Sequence, residues 1–356
     1  MATKTLKIRI KDRHAATLRS WSASVNQVWN YCNELSSRAI AERGKFLSGY
    51  DLQKYTSGAS KLVGLNAATV QMIGHEYATR RKQFKKSKLA WRKTLGVRRS
   101  LGWIPFRHDC IQYRNGQIVH NGVHFGLWDS YGLSQYQLGT GSFSEDARGR
   151  WYFNTTVEVT ETAIAGTGSI GIDLGCRTAA TTSKGNRLVG RWYRAEEKKL
   201  AAAQRHRKRK RARAISAKIA NRRKDALHKF SRKLVNENAA IFVGNLSSKA
   251  MLKTNNAKSA SDASWYALKT MLEYKCAHAG VVFEVVNEAY STQACSCCGC
   301  ISDSSPKGMD GLGISEWTCH ACGVTHDRDV NAAKNICEAG HGLLAGGIPH
   351  YSRSAA

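Results

Sequence analysis

Polar and apolar residues alternate with period two along residues 3–10, Thr-Lys-Thr-Leu-Lys-Ile-Arg-Ile, the pattern of a half-buried strand. From about residue 13 to 95 the spacing becomes helical. Leu18, Trp21, Val25, Val28 and Trp29 fall on one face, and a second helical stretch runs from Ala67 to Lys93. Residues 103–160 return to short β-rich pieces, among them 103–106, 116–119, 122–126 and 151–159, separated by Gly, Asn and Asp turns. These predict an antiparallel barrel or sheet, completed by the N-terminal strand, with the helices inserted into it. Residues 163–168 read as a linker.

The pattern then changes again. A short buried strand, 169–175, ends in a turn and continues as a hairpin through 178–189. One long helix is expected from Ala195 to Glu237, then a buried strand at 238–246, a helix from Ala263 to Ala279 and a strand at 281–287. A last helix covers Asp329 to Glu338, and 340–356 read as a flexible, glycine-rich tail. There is no internal repeat.

Charge narrows the function classes. The 356 residues carry 55 Lys and Arg against 26 Asp and Glu, a net +29. A protein so far from neutrality repels itself unless it meets a polyanion, and nucleic acid fits best, with counterion release supplying affinity. A solvated basic surface and an anionic membrane are the alternatives. Two stretches concentrate the charge. Arg80, Arg81, Lys85, Lys86 and neighbours are interleaved with Phe84 and Trp91, the pairing that single strands and RNA prefer, although a solvated helix with core aromatics would look similar. In Arg205-His-Arg207-Lys208-Arg209-Lys210-Arg211-Ala-Arg213, seven of nine residues are cationic; a disordered basic segment is the alternative there. No run of about 18 apolar residues exists and the N-terminus lacks an apolar signal core, so a soluble, unexported and hence cytoplasmic protein is expected.

Six of the eleven cysteines fall within residues 295–322. Cys295-Ser-Cys-Cys298-Gly299 and Cys319-His-Ala-Cys322-Gly323 have the spacing of a four-cysteine zinc ribbon. In each, a glycine after the second cysteine can take positive φ and turn backbone amides toward the thiolates. No open coordination position is implied, so this zinc is structural, with Cys297 and Cys300 as spare thiols. Asp173, at the end of the first strand of the second half, is a weaker signal: RNase H-like nucleases and actin-like ATPases both place an acid there. The glycine-rich phosphate loops of the ATPases are missing here. Phosphodiester hydrolysis at two Mg²⁺ ions needs carboxylates converging from separate elements, and Asp329 at a helix start is a second.

At this point the motifs resemble those of TnpB, a family of transposon-encoded RNA-guided DNA endonucleases close to the Fanzor proteins and ancestral to type V CRISPR effectors. The resemblance rests on Gly171-Ile-Asp-Leu-Gly175, on the Tyr290-x-x-Gln293-x-Cys295-x-x-Cys298-Gly299 run, and on Cys319-x-x-Cys322-Gly323 followed by Asp327-Arg-Asp329-Val-Asn331-Ala-Ala-Lys-Asn335-Ile. It covers residues 168–338; the N-terminal half agrees in layout only. It implies an α/β RNase H-like (RuvC) nuclease domain at 168–290 and 326–339 with an inserted zinc ribbon at 291–325. Before it would stand a β-barrel-like wedge domain, 1–12 and 100–165, holding an inserted helical recognition domain, 13–99.

One position departs from the commoner family pattern. Where that pattern has Glu in Ile-x-x-Glu-Asp-Leu, this chain has Val243-Gly244-Asn245-Leu246, and glycine cannot bind a metal. Glu288, 44 residues on and just past another strand, resembles the relocated glutamate of a subset of the family; Glu284 is the lesser substitute and a surface turn residue the bland reading. The resemblance thus implies Asp173, Glu288 and Asp329 as the Mg²⁺-binding catalytic set, with Asp327 a neighbour. It also implies a guide RNA and double-stranded target DNA as partners, one chain per guide and no membrane. A guided repressor that has lost cleavage and a guide-independent zinc-ribbon nucleic-acid-binding protein are the other readings.

Overall fold

In the computed structural model, which describes residues 2–160, 166–246, 251, 257–308 and 310–346, the period-two stretch forms β1 (Ala2–Ile10) and buries Leu6, Ile8 and Ile10. Four helices follow: α1 (Ala15–Arg43), α2 (Gly49–Thr56), α3 (Ala59–Val63) and α4 (Ala67–Phe84). Six strands then join β1: β2 (Trp103–Phe106), β3 (Gln112–Arg114), β4 (Gln117–His120), β5 (Val123–Trp128), β6 (Leu138–Glu145) and β7 (Trp151–Val159). They make one antiparallel sheet in the order β2-β6-β7-β1-β5-β4-β3. The barrel-like closure expected from sequence is not made, because the edge strands β2 and β3 do not pair. β3 is only three residues long, with Gln112 and Arg114 exposed.

These elements form one unit, Met1–Val159. Its core joins helices to sheet: Trp29 of α1 meets Tyr77 of α4 and Trp103 of β2 edge-on, while Phe106, Phe125, Phe143 and Phe153 pack within the sheet face. The second helical stretch is shorter than its periodicity predicts. α4 stops at Phe84, with Lys85 left-handed at φ 51°. Residues 88–94 instead run as a strap along α1, where Asn30 and Asn33 exchange paired hydrogen bonds of 2.8–2.9 Å with the backbones of Arg92 and Leu89. Those side chains satisfy the backbone groups that a helix would have paired internally.

The second unit, Thr160–Ala356, is built on a five-stranded sheet: β8 (Ser169–Asp173), β9 (Thr178–Thr182), β10 (Arg187–Val189), β11 (Ala240–Gly244) and β12 (Val282–Val286), in the order β10-β9-β8-β11-β12. β8, β11 and β12 run parallel, so their carboxyl ends emerge on one side. The single helix expected over 195–237 is two, α5 (Trp192–Arg205) and α6 (Arg209–Glu237), which double back at Arg207, φ 52°. Folding back buries Leu200, Ala203 and Ile219, and ties Glu196 to Lys218 and Arg222 at 3.4 and 3.1 Å. α7 (Ala257–Ala263) and α8 (Trp265–Ala279) follow. Leu227 and Leu234 of α6 with Leu268 and Leu272 of α8 cover one sheet face.

A short hairpin, β13 (Glu316–Thr318) and β14 (Thr325–Asp327), leads into α9 (Arg328–Leu344). This last helix runs past Glu338, where it was expected to end, because Ala339 and Gly340 are buried against Phe242 of β11. The expected tail therefore begins no earlier than residue 345, and 347–356 lie outside the described residues, as do 163–165 of the expected linker. α9 lies against β8 so closely that a Cβ at Gly171 would stand 2.0 Å from the Ala333 carbonyl oxygen. Gly171→Ala is therefore expected to destabilise the second unit by about 3 kcal/mol, read as a lowered denaturant midpoint of that unit's transition.

Candidate active site

The parallel register sets the site. Gly244 stands opposite Val286, so β11 and β12 end level with each other and within one residue of the end of β8. Asp173 closes β8, Glu288 follows β12 by two residues, and Asp329 sits in the first turn of α9, whose N-cap Asp327 accepts from the Val330 amide at 2.9 Å. Asp327 is held in turn by Arg187 of β10 at 2.5 Å. All three carboxylates line one cleft of about 310 Å³, together with Cys176, Arg177, Gln293 and Arg328.

The gap at position 244 has a structural counterpart. A Cβ built on Gly244 would stand 2.1 Å from Oε2 of Glu288. The glutamate's carboxylate thus occupies the volume that any side chain at 244 would need, and the buried Oε2 has no hydrogen-bond partner. Burial raises the Glu288 carboxyl, opposed by the Leu246 amide and Lys269 of α8. Burial also raises Asp173, to about 7; the charges of Asp329 and Glu288 push the same way and Arg328 opposes them. Arg328 donates to Asp329 at 3.4 Å and to the Gly311 carbonyl at 2.9 Å. Glu284 is exposed within β12 and is not among the residues lining the cleft.

The cysteines form the tighter cluster. The Sγ atoms of Cys295, Cys298, Cys319 and Cys322 lie within 4.8 Å of one another, and among the described residues no other group of three or more acidic, His or Cys side chains is gathered closely enough to hold an ion. The three carboxylates are thus more widely spaced than the thiols. Gly299 and Gly323 take φ of 75° and 74°, and their amides donate back to the Cys295 and Cys319 carbonyls at 2.8 and 2.7 Å. Although burial opposes it, the Cys322 and Ala321 amides bring the Cys319 thiol down to about 7. Buried His326 places Nε2 3.0 Å from Cys295 Sγ. Cys297 is exposed, and Cys300 is directed at the Cys298 carbonyl. Asn331 and Asn335, one turn apart on α9, both donate to the Ala294 carbonyl, and the Ser296 amide donates to Asn331. The helix that carries Asp329 therefore grips the first knuckle.

Comparison with known proteins follows this layout. Residues 265–336 match the family described as "Cas12f1-like, TNB domain" and residues 152–255 the OrfB_IS605 family, described as "Probable transposase". A Streptomyces pristinaespiralis protein named "Putative RNA-guided DNA endonuclease" is 38% identical over 262 residues, 68% of this chain and 64% of its own length. A protein of the same name, InsQ, from Escherichia coli strain K12 is 30% identical over 230 residues, 56% of each chain. TnpB-like protein L79 of Acanthamoeba polyphaga mimivirus is 36% identical over 131 residues, 35% of this chain and 24% of its own. Over these regions the chain resembles proteins named RNA-guided DNA endonucleases and TnpB-like proteins. The matched region spans somewhat over half the length of the first two relatives. In fold, the chain resembles the protein in the cryo-EM structure of a Cas12f1-sgRNA-target DNA complex, with a TM-score of 0.59 at 13% identity over 94% of this chain and 98% of that one.

The basic residues of this chain separate into two groups. Arg205, Arg207, Lys208, Arg209, Lys210 and Arg211 are all exposed at the tip of the α5–α6 hairpin, where no carboxylate among the described residues neutralises them. Arg80, Lys85, Lys86 and Trp91 are exposed in the first unit, Arg80 paired with Glu76 at 2.6 Å. Arg81 is not part of that surface. It is 6% exposed and donates to the Ser36 hydroxyl and, at 2.8 Å, to the Leu47 carbonyl, so its cation is spent in joining α4 to α1. No helix among the described residues is long and apolar enough to cross a membrane. Sequence reasoning missed Arg328, which lines the cleft, and Lys269, whose charge acts on Glu288; both placements depend on the packing of α8 and α9.

A carboxyl raised from 3.8 to about 7 favours the fold while protonated and loses that contribution as pH rises through 7. In buffer free of divalent cations, the melting temperature of the second unit should fall between pH 5 and 8, the pH span being a choice of assay about that value. Asp173→Asn should flatten the fall and raise stability at pH 8 by about 1 kcal/mol, measured by thermal melts across that range.

Proposed function

We propose that this chain is an RNA-guided, Mg²⁺-dependent DNA endonuclease whose second unit is a RuvC-like nuclease and which cuts target DNA beside a short flanking motif. The observation that carries the reading is the Glu288 carboxylate, its buried Oε2 unpartnered in the volume left by Gly244, on the same cleft as Asp173 and Asp329. Such a set fits hard divalent cations. Its donors are carboxylate oxygens, one of them orphaned, and their mutual repulsion is what a cation would relieve. When bound there, Mg²⁺ would supply an activated water and stabilise the leaving oxygen.

The chain's own residues do the rest. Asp173, Glu288 and Asp329 would hold the ions from three separate elements, each fixed by backbone pairing or a helix cap. Arg328 keeps Asp329 in place from the Gly311 loop, and Arg177 and Gln293 line the wall along which a strand would lie. The exposed cations at the α5–α6 tip would take phosphates of guide RNA or heteroduplex, leaving sequence to base pairing in the division of labour of guided effectors. The four thiolates would hold one structural Zn²⁺, with His326 donating to Cys295 from outside the ligand set. Flanking duplex would be read by the first unit. The wider spacing of the carboxylates favours a second reading, a guided DNA-binding protein without cleavage.

One assay separates them. The chain is purified with RNA from its own locus and given a plasmid library with randomised flanks and Mg²⁺. Guide-dependent cleavage is expected, reduced at least about a thousandfold in Asp173→Ala and Glu288→Gln with target binding kept. Gly244→Ala, a methyl group in the place of Oε2, should slow cleavage by about tenfold or more. Guided binding without cleavage would establish the second reading, and binding indifferent to the guide would sink both. Elemental analysis should find one zinc per chain, lost in Cys319→Ser together with the ordered ribbon, whereas a metal-free, stably folded wild-type ribbon would refute the zinc assignment.

A further inference from the structure

In the first unit, a cleft of about 590 Å³ opens between the end of α4 and the strap along α1, within the size range of small-ligand pockets. Its floor is rigid. The Arg92 guanidinium lies 5.6 Å from the Trp29 ring and 5.8 Å from the Trp103 ring, held by the Asn26 carboxamide oxygen at 2.6 Å and the Leu101 carbonyl at 2.9 Å. Its rim carries Phe84 and Trp91, 59% and 51% exposed although both are large aromatics, beside the exposed ammonium of Lys86. Trp29, 7% exposed and part of the cleft wall, keeps its indole N–H buried with no hydrogen-bond partner.

Exposed aromatic faces above a fixed floor leave stacking area open to water. The ligand that meets these features has a flat π-face and an anionic group for Lys86. We propose that this cleft takes one unpaired nucleotide, its base stacked on Trp91 or Phe84 and its phosphate on Lys86. The strap positions Trp91 because Asn30 and Asn33 hold the backbone on either side of it, at Arg92 and Leu89. This rests on the nucleic-acid reading above and adds to it a defined base-binding site.

The test uses the full chain, stripped of nucleic acid in high salt, and short single-stranded oligonucleotides containing 2-aminopurine, in separate DNA and RNA arms. Stacking should quench 2-aminopurine emission. Trp91→Ala should abolish that quenching and weaken binding about tenfold, with Phe84→Ala in the same direction. Abasic oligonucleotides should bind the wild type about tenfold more weakly than base-containing ones and show no further loss in Trp91→Ala. Whichever arm shows these effects identifies the strand. Oligonucleotide binding with quenching and affinity unaltered in Trp91→Ala and Phe84→Ala would overturn the pocket and leave the nucleic-acid reading standing. A wild-type chain that binds neither oligonucleotides nor guide RNA would overturn both.

Discussion

At the carboxyl ends of β11 and β12 a single volume is shared by two positions. Because the strands are parallel and in register at Gly244 and Val286, the chain leaving β12 turns back over the end of β11, and the Glu288 carboxylate comes to rest where a side chain at 244 would lie. Both cannot be occupied. A glycine inside a strand weakens it through lost packing and greater unfolded-state freedom, so its presence at 244 has a local cost that the placement of Glu288 accounts for. Glu288 brings its carboxylate to the cleft from beyond β12 only while position 244 stays bare.

That arrangement depends on how the final helix is held. Asn331 and Asn335 take up carbonyls of the Ser291–Ala294 turn, and the Ser291 amide donates to the Glu288 carbonyl at 3.1 Å. One polar seam therefore runs from Glu288 through the first cysteine knuckle to the helix that bears Asp329. At the other end of the helix, Gly171 and Gly340 let backbone and ring approach without a side chain between them. A metal in the knuckle would stiffen this seam without touching the cleft, which is how a closed structural site can serve a distant carboxylate.

In the first unit the corresponding device is the row of asparagines on α1. Asn26, Asn30 and Asn33 share one helical face and convert a chain segment with helical spacing into an extended strap. The strap carries Trp91 outward and Arg92 inward. Adjacent residues of the same basic run thus end in opposite environments, and Arg81, inside the run by sequence, ends in the core.

Much of this was legible beforehand because it is local. Period-two burial in β1, the hairpin after Asp173, the Cys-x-x-Cys-Gly knuckles with their left-handed glycines and the acidic start of α9 each depend on residues close in sequence, where chain geometry leaves few options. The order of the motifs also pointed to Asp173, Glu288 and Asp329 as the set to examine. What sequence could not decide were meetings between distant segments. That the Glu288 carboxylate fills the space beside Gly244, that Arg81 is buried, where the basic helix doubles back and that Arg328 lines the cleft all depend on which surfaces pack together. Hydrophobic periodicity says which face of an element is buried. It does not say against what, and side chains separated by 44 residues, as at 244 and 288, acquire a common volume only when the sheet has formed.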